Sequence, residues 1–416
     1  MPNTKKENLD PDHQRQKKIN PLKKLVHGFI IGNADNDPAG ISTYTIVGAR
    51  TGFSLVLFHL LSTPLLINTQ SICARIGDVT KKGLATVIRL YYGKPKALIL
   101  MWLVIIANLT TLGADFAGVA AALNLIFPKL NTLIFLPLIA GFLWLILVYK
   151  SYQDLARVLT GLGIIFFAYV IAAFLADPNW LDISKQIFLP KIEFTPSFWL
   201  IAVAMMGTTI TPFLFYWQVT EEIEDHPSVK NVKTEVKEIS LGLIFSIIIS
   251  TFIIITSALT LFPKGINVNS AAEAAQALRP FAGELSFLLF SIGIIGAGML
   301  AIPVLTSTTA YTVAETMDWR SGLNNKINQA KGFYTVLTLS FFIGLAIALS
   351  KINPIKMLFY SQVINGLITP FVLAVILKLA TKDIIMKKYV INKTQKNLGW
   401  ITVVVMIFAG VAAFAL

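Results

Sequence analysis

Asp37 is the residue in this chain best suited to hold a cation. It sits in the run Asn33-Ala34-Asp35-Asn36-Asp37-Pro38-Ala39-Gly40, a polar island between the apolar Leu25–Ile31 and the apolar, helix-forming Ile41–Ala49. A carboxylate inside a membrane-spanning segment is expensive and marks a functional site by default. A second interruption, Gly207-Thr208-Thr209-Ile210-Thr211-Pro212, lies between Trp199–Met206 and Phe213–Val219. Each run holds a proline, which lacks an N–H donor, beside small or polar residues that tolerate non-helical backbone. Ordinary proline kinks would not need three acidic or amide residues alongside. Backbone carbonyls of Ala34 and Thr208 would be offered at the C-terminal ends of half-helices, where the dipole favours positive charge. The hydroxyls of Thr208, Thr209 and Thr211 can accept hydrogen bonds from the water of a bound ion, or else bond to their own helix. Asp35 and Asn36 would face away from Asp37 on a helix. In an unwound loop they become candidates for touching the ion's water or lining its path.

Long apolar runs must carry both interruptions. Only 14% of the 416 residues are charged and 55% are hydrophobic, with a mean hydropathy of +0.69; a soluble domain carries roughly 25% charge. A spanning helix needs about 20 apolar residues. Such runs fall at Leu25–Ala49, Phe53–Ile72, Ala97–Ile126, Leu133–Val148, Leu155–Ala176, Phe198–Glu221, Ile239–Leu261, Leu285–Ala310, Tyr334–Ser350, Met357–Leu377 and Leu398–Phe414. The predicted fold is therefore all-α and polytopic, with about eleven transmembrane helices of which the first and sixth are broken. Broken helices opening each five-helix half are the best sequence pointer to a transport site near the midplane.

Eleven spans put the termini on opposite sides. With the N-terminus in the cytoplasm, 27 of the 35 Lys and Arg fall inside and 8 outside, as the positive-inside rule requires. The net charge of +13 follows from that bias and does not point to nucleic acid. Met1–Asn20 is polar and has no apolar core near its start, so residues 1–24 are expected to be a disordered cytoplasmic tail, not a cleaved signal. The transport core is expected over 25–378, and a cytoplasmic loop plus an eleventh helix over 379–416. Cys73 is the sole cysteine, which excludes an internal disulfide and a thiolate metal site. No nucleophile motif, P-loop or HExxH occurs, so no enzymatic activity and no cofactor are expected.

In order along the chain, several motifs resemble the Nramp family of divalent-metal transporters, and more closely its divergent branch of magnesium transporters. They are Asp37-Pro38-Ala39-Gly40 within Gly28–Gly52, Tyr44-Thr45-Ile46-Val47-Gly48-Ala49, Gln70–Gly77, Gly113-Ala114-Asp115-Phe116-Ala117 and Ser361-Gln362-Val363. The resemblance implies a LeuT-type fold, with two five-helix repeats of inverted topology over about 25–176 and 197–378. It also implies that Gln362 is an ion ligand and that Asp115 is an acid on the family's proton route. Three departures stand out. The family's Asp-Pro-Gly-Asn ends here in Gly40, its Met-Pro-His is here Thr211-Pro212-Phe213, and the acid three residues after Asp115 is here Gly118.

Those departures carry chemical consequences. A thioether ligand favours softer ions, whereas carboxylate, hydroxyl, carbonyl and water suit hard ones. Mg²⁺ dehydrates reluctantly and is held by one or two carboxylates with several waters retained. The expected first contacts are Asp37, Ala34, Thr208, Thr211 and Gln362. Asp35, Asn36, Gly40, Thr209 and Asp115 are expected around them or along the path. The expected cargo is Mg²⁺ with Mn²⁺ also carried, and proton coupling should be weak or absent because a relay would have one titratable stop. Competing expectations are a proton-coupled Mn²⁺/Fe²⁺ carrier, and a LeuT-fold symporter of amino acids or other organic solutes. The latter would seat a substrate carboxylate on half-helix N-termini and favour glycine over an Asp. The expected location is a bacterial inner membrane, with the C-terminus outside. His59 and Asn68 are read as bonds between helices. The acidic residues Glu221, Glu222, Glu224, Asp225, Glu273 and Glu284 are read as solvated.

Overall fold

A computed structural model describes residues 36–129, 131–149, 161–225, 232–323 and 325–415. The expected tail, the first half of span 1 with Ala34 and Asp35, and residues 150–160, which hold the loop before span 5 and the start of that span, lie outside the described residues. The principal helices are α1 (Pro38–Thr51), α2 (Val56–Thr80), α3 (Leu84–Tyr92), α4 (Lys94–Ile126), α5 (Thr132–Tyr149), α6 (Phe167–Leu175), α7 (Trp180–Phe188), α8 (Pro196–Thr209), α9 (Pro212–Asp225), α10 (Val232–Thr260), α11 (Ser286–Met317), α12 (Lys331–Ala348), α13 (Pro354–Ala380) and α14 (Lys393–Ala415). Among the described residues, eight helical segments are long and apolar enough to cross a membrane. The remaining predicted spans coincide with α1, with the short apolar helix Ile134–Tyr149, and with residues 161–175 ahead of a 109° bend into α7. Long apolar side chains such as Trp102, Leu138, Phe174, Phe371 and Phe408 face outward, as a protein solvated by lipid requires.

Several helices run past the apolar stretches that define them in the sequence. The α2 helix continues to Thr80 and takes in Arg75, whose guanidinium donates to Gln395 Oε1 at 3.0 Å. The α11 helix reaches Met317, and α13 starts at Pro354 behind an Asn353 cap. Capping and polar partners sustain those ends beyond the hydrocarbon, which hydropathy cannot register. Two short helices, α3 and α7, had no counterpart among the predicted spans.

Contacts between helices repeat with inverted topology. The second half of span 1 (α1) packs on span 7 (α10), and the second half of span 6 (α9) packs on span 2 (α2). Likewise span 3 (α4) packs on span 10 (α13), and span 8 (α11) packs on the helical turns Gly161–Phe166 within span 5. Spans 3 and 8 lie against each other at the centre. This is the expected five-plus-five arrangement, with α14 added against α13 and α8. It brings the start of α1 and the break of span 6 beside spans 3 and 10.

Candidate ion-binding site

Asp37 immediately precedes α1. Its backbone is extended (φ −74°, ψ 169°), Pro38 opens the helix, and its carboxylate accepts the Gly40 N–H. Proline suits this position because the first helical N–H has no intrahelical partner. Asp115, on α4, reaches the same helix end: its Oδ1 accepts the Ala39 N–H at 3.2 Å. Two carboxylates from different spans thus cap one helix N-terminus, where the dipole stabilises negative charge. Both are buried, at 4% and 0% exposure. Neither forms an ion pair among the described residues, and Asp115 Oδ2 has no hydrogen-bond partner there. Asn36, one residue ahead of Asp37, is also fully buried. Removing a carboxylate from water is costly unless a positive charge joins it.

At the break of span 6, α8 ends at Thr209, Ile210 leaves helical geometry (φ −124°, ψ 80°), and Pro212 opens α9. The Ile210 N–H still closes on Met206 O at 2.8 Å, and the Ile210 carbonyl accepts the Thr369 hydroxyl of α13 at 2.9 Å. Thr208 and Thr211 are buried, and the Thr211 hydroxyl has no partner among the described residues. It is the free neutral oxygen at this break. Thr209 has a different role. Its hydroxyl donates to Met205 O at 2.8 Å, lies 3.0 Å from Tyr44 Oη of α1, and is 3.5 Å from His59 Nδ1 of α2. His59 Nε2 in turn meets Ser250 Oγ of α10 at 2.7 Å. His59 therefore ties spans 2, 6 and 7 together, and Asn68 bonds the Gln395 carbonyl of α14 at 3.0 Å. Both are the interhelical bonds the sequence suggested.

Gln362 lies on α13 beside the span-6 break. A Cβ on Gly207 would run into the Gln362 carbonyl and the Gly366 backbone, so only glycine permits α8 and α13 to approach this closely there. The Gln362 side chain is buried; its Oε1 accepts from Asn365 Nδ2 at 2.9 Å, and its Nε2 donates to Ser361 Oγ at 3.3 Å. A carbonyl oxygen with a second lone pair can still meet an ion or its water. Asn365 also donates to Thr111 Oγ1 of α4 at 3.1 Å. Sequence reading missed Thr111 and Asn365. Their signal was a helical spacing of polar residues, Asn108–Thr111–Asp115 on α4 and Gln362–Asn365–Thr369 on α13.

Gly40 occupies the first turn of α1 and gives its N–H to Asp37. Gly118 is packed, not open: a Cβ there would stand 3.2 Å from Pro38 Cβ and 3.3 Å from Leu358 Cδ1. A side chain at this position would have to push Pro38 or Leu358 aside by a few tenths of an ångström. Among the described residues no group of three or more His, Cys, Asp and Glu could hold a metal. The side chains of Glu221, Glu222, Glu224 and Asp225 lie outside the described residues. Glu273 forms a capping box with Ser270, and Glu284 pairs with Arg279 at 3.0 Å.

Known proteins place this arrangement. The divalent metal cation transporter MntH of Bacillus subtilis is 28% identical over 395 residues, covering 92% of this chain and 88% of that protein. The Clostridium acetobutylicum protein of the same name is 27% identical over 401 residues, covering 94% and 90%. Among solved structures, an Eremococcus coleocola manganese transporter superposes with a TM-score of 0.75 at 19% identity, over 95% of this chain and 87% of that one. MhsT in complex with L-phenylalanine superposes with a TM-score of 0.62 at 16% identity, over 93% and 97%. These likenesses identify the fold as LeuT-type. The profile of the Nramp family, natural resistance-associated macrophage protein-like, matches residues 28–416. With a profile match over nearly the whole chain, the chain belongs to the Nramp family.

Proposed function

We propose that this protein carries divalent metal cations across a bacterial inner membrane, taking Mg²⁺ as its main cargo and Mn²⁺ as well. The supporting observation is the pair of buried carboxylates, Asp37 and Asp115, on one helix end without a basic partner among the described residues. The reading also takes as hard oxygen donors the Thr211 hydroxyl, which has no partner among the described residues, and the Gln362 amide. An all-oxygen site with few charges suits an ion that keeps part of its water. The ion is bound between the breaks of spans 1 and 6, and the two sides open in turn.

Transport runs with little or no proton coupling. Gly118 lacks the acid and is closely packed by Pro38 and Leu358, and Phe213 stands where the family has histidine. An inside-negative potential contributes roughly 2.3 kcal/mol per charge per 100 mV, about double for a divalent ion, so inward flow needs no second driving ion. The organic-solute reading loses its anchoring point: the Ala39 and Gly40 N–H groups that would hold a substrate carboxylate are taken by Asp115 and Asp37.

Uptake into vesicles loaded with a Mg²⁺-sensitive dye and a pH dye tests both statements. Mg²⁺ is expected to enter, to compete with Mn²⁺, and to leave the lumen pH unchanged. Mn²⁺ entry with no Mg²⁺ entry or competition would overturn the cargo assignment, and acidification in step with Mg²⁺ would overturn the uncoupled mode. Thr211→Met should add a soft ligand. It is expected to shift the Mn²⁺-to-Mg²⁺ binding ratio toward Mn²⁺ by roughly tenfold, the equivalent of about 1.4 kcal/mol; calorimetry with each ion reads this directly.

A further inference from the structure

Beneath the carboxylate pair, two polar ladders face each other. On α4, Asp115, Thr111 and Asn108 recur at intervals of four and three residues, on one helix face. On α13, Gln362, Asn365 and Thr369 do the same, and the Asn365–Thr111 hydrogen bond joins the ladders at mid-height. From α11, Thr309 Oγ1 accepts from Asn108 Nδ2 at 3.0 Å. Seven residues of helix rise by about 10 Å, so the column runs that far from Asp115 toward the Lys/Arg-rich end, where α4 begins. Every member is at least nine-tenths buried. Asn108 Oδ1 has no hydrogen-bond partner among the described residues. Below Asn108 the same face of α4 continues as the buried, apolar Val104 and Met101.

Buried amides and hydroxyls are costly in a bilayer unless something meets them. Helix association alone would be satisfied by closed pairs, yet the Asn108 oxygen is left open. Below Asp115 the column holds only neutral amides and hydroxyls, which differs from the doubly acidic site above it. We propose that Asn108, Thr111, Asn365 and Thr309 form a second, weaker station for the transported ion, holding it through its water shell on the way to the Lys/Arg-rich face. The proposal rests on the divalent-cation reading above. Neutral dipoles can accept from the ion's water and support it after it leaves Asp37, but they lack the charge to retain it. Val104 and Met101 close the column until the inner side opens.

The test pairs turnover with binding in purified protein. For Asn108→Leu and Thr111→Val, Mn²⁺ and Mg²⁺ uptake into vesicles is expected to fall about tenfold. The calorimetric affinity for the same ions should stay within about twofold of the unaltered protein. Asn108→Asp places a charge at the station and is expected to do the reverse to binding: tighter affinity with slower turnover. Unchanged uptake in Asn108→Leu and Thr111→Val would overturn the proposal. So would affinity and thermal midpoint falling together with uptake, which is the signature of a purely structural role. If Asn108→Leu does not fold, Thr111→Val and Asn108→Asp decide on the same two readouts. Failure of the cargo reading is separable, since it appears as absent divalent uptake in the unaltered protein, whereas the station is judged by variant-to-parent ratios.

Discussion

Replacing Asp37 by Asn should abolish transport while leaving the protein folded. The Asn carbonyl can still accept the Gly40 N–H, so the cap on α1 survives. What disappears is the charge. Two unit charges 4 Å apart in an effective dielectric of about 20 attract by about 4 kcal/mol, and a divalent ion doubles this. At 1.4 kcal/mol per decade, affinity is expected to drop by more than about 100-fold even after partial compensation by water. Calorimetry with Mg²⁺ and Mn²⁺, read beside the thermal midpoint in detergent, distinguishes the two effects. Asp37→Ala removes the cap as well and should lower the midpoint, by about 1 kcal/mol of stability. Asp115→Asn keeps an acceptor for the Ala39 N–H and leaves one carboxylate in place, so its loss should be about tenfold. Near-parental binding by Asp37→Asn would remove this residue from the ion's coordination.

Gly207→Val is expected to yield no folded protein. The Cβ position at Gly207 is occupied by the Gln362 carbonyl and the Gly366 backbone, and the reciprocal position at Gly366 by the Val203 carbonyl. These obstacles are main-chain atoms of two packed helices and cannot rotate aside. Overpacking into a flexible core costs about 1–3 kcal/mol; against rigid backbone the cost should exceed that range, because α8 and α13 must separate along their contact. Gly207→Ala, which adds only the Cβ, should lower the thermal midpoint and displace Gln362 enough to weaken ion binding. Gly141→Ala is the control, since nothing lies within 4 Å of its Cβ position. Fluorescence-detected size exclusion of all three variants checks the order. A Gly207→Ala protein with parental midpoint and uptake would show that the two helices are less tightly opposed than described.

Much of the architecture was legible because hydrocarbon imposes a length and prolines impose breaks. A helix starts directly behind Asp37, and at the Thr211-Pro212 step one helix stops and the next begins. Orientation of side chains was not legible. Hydropathy averages over all faces of a helix, so Asn108 and Thr111 vanished into an apolar run that includes Leu103, Val104 and Ile105. Asp115 was identified as an acid on the path, but its bond to the Ala39 N–H depends on a contact between spans 1 and 3 that no local pattern encodes. Thr209 resembled its neighbours Thr208 and Thr211 in type. Only the packing of Tyr44 and His59 around it separated a helix fastener from a free oxygen donor. The α7 helix was missed because nine residues are too few for a span and its Ser184, Lys185 and Gln186 read as loop.

The crowding around Gly118 also bears on any attempt to build an acid into this position. Pro38 Cβ and the Leu358 methyl groups stand 3.2–3.3 Å from where a Cβ would sit, so a new side chain must displace one of them by a few tenths of an ångström. The leucine can yield by rotating and the proline ring cannot. Gly118→Glu combined with Leu358→Ala should therefore be tolerated better than Gly118→Glu alone.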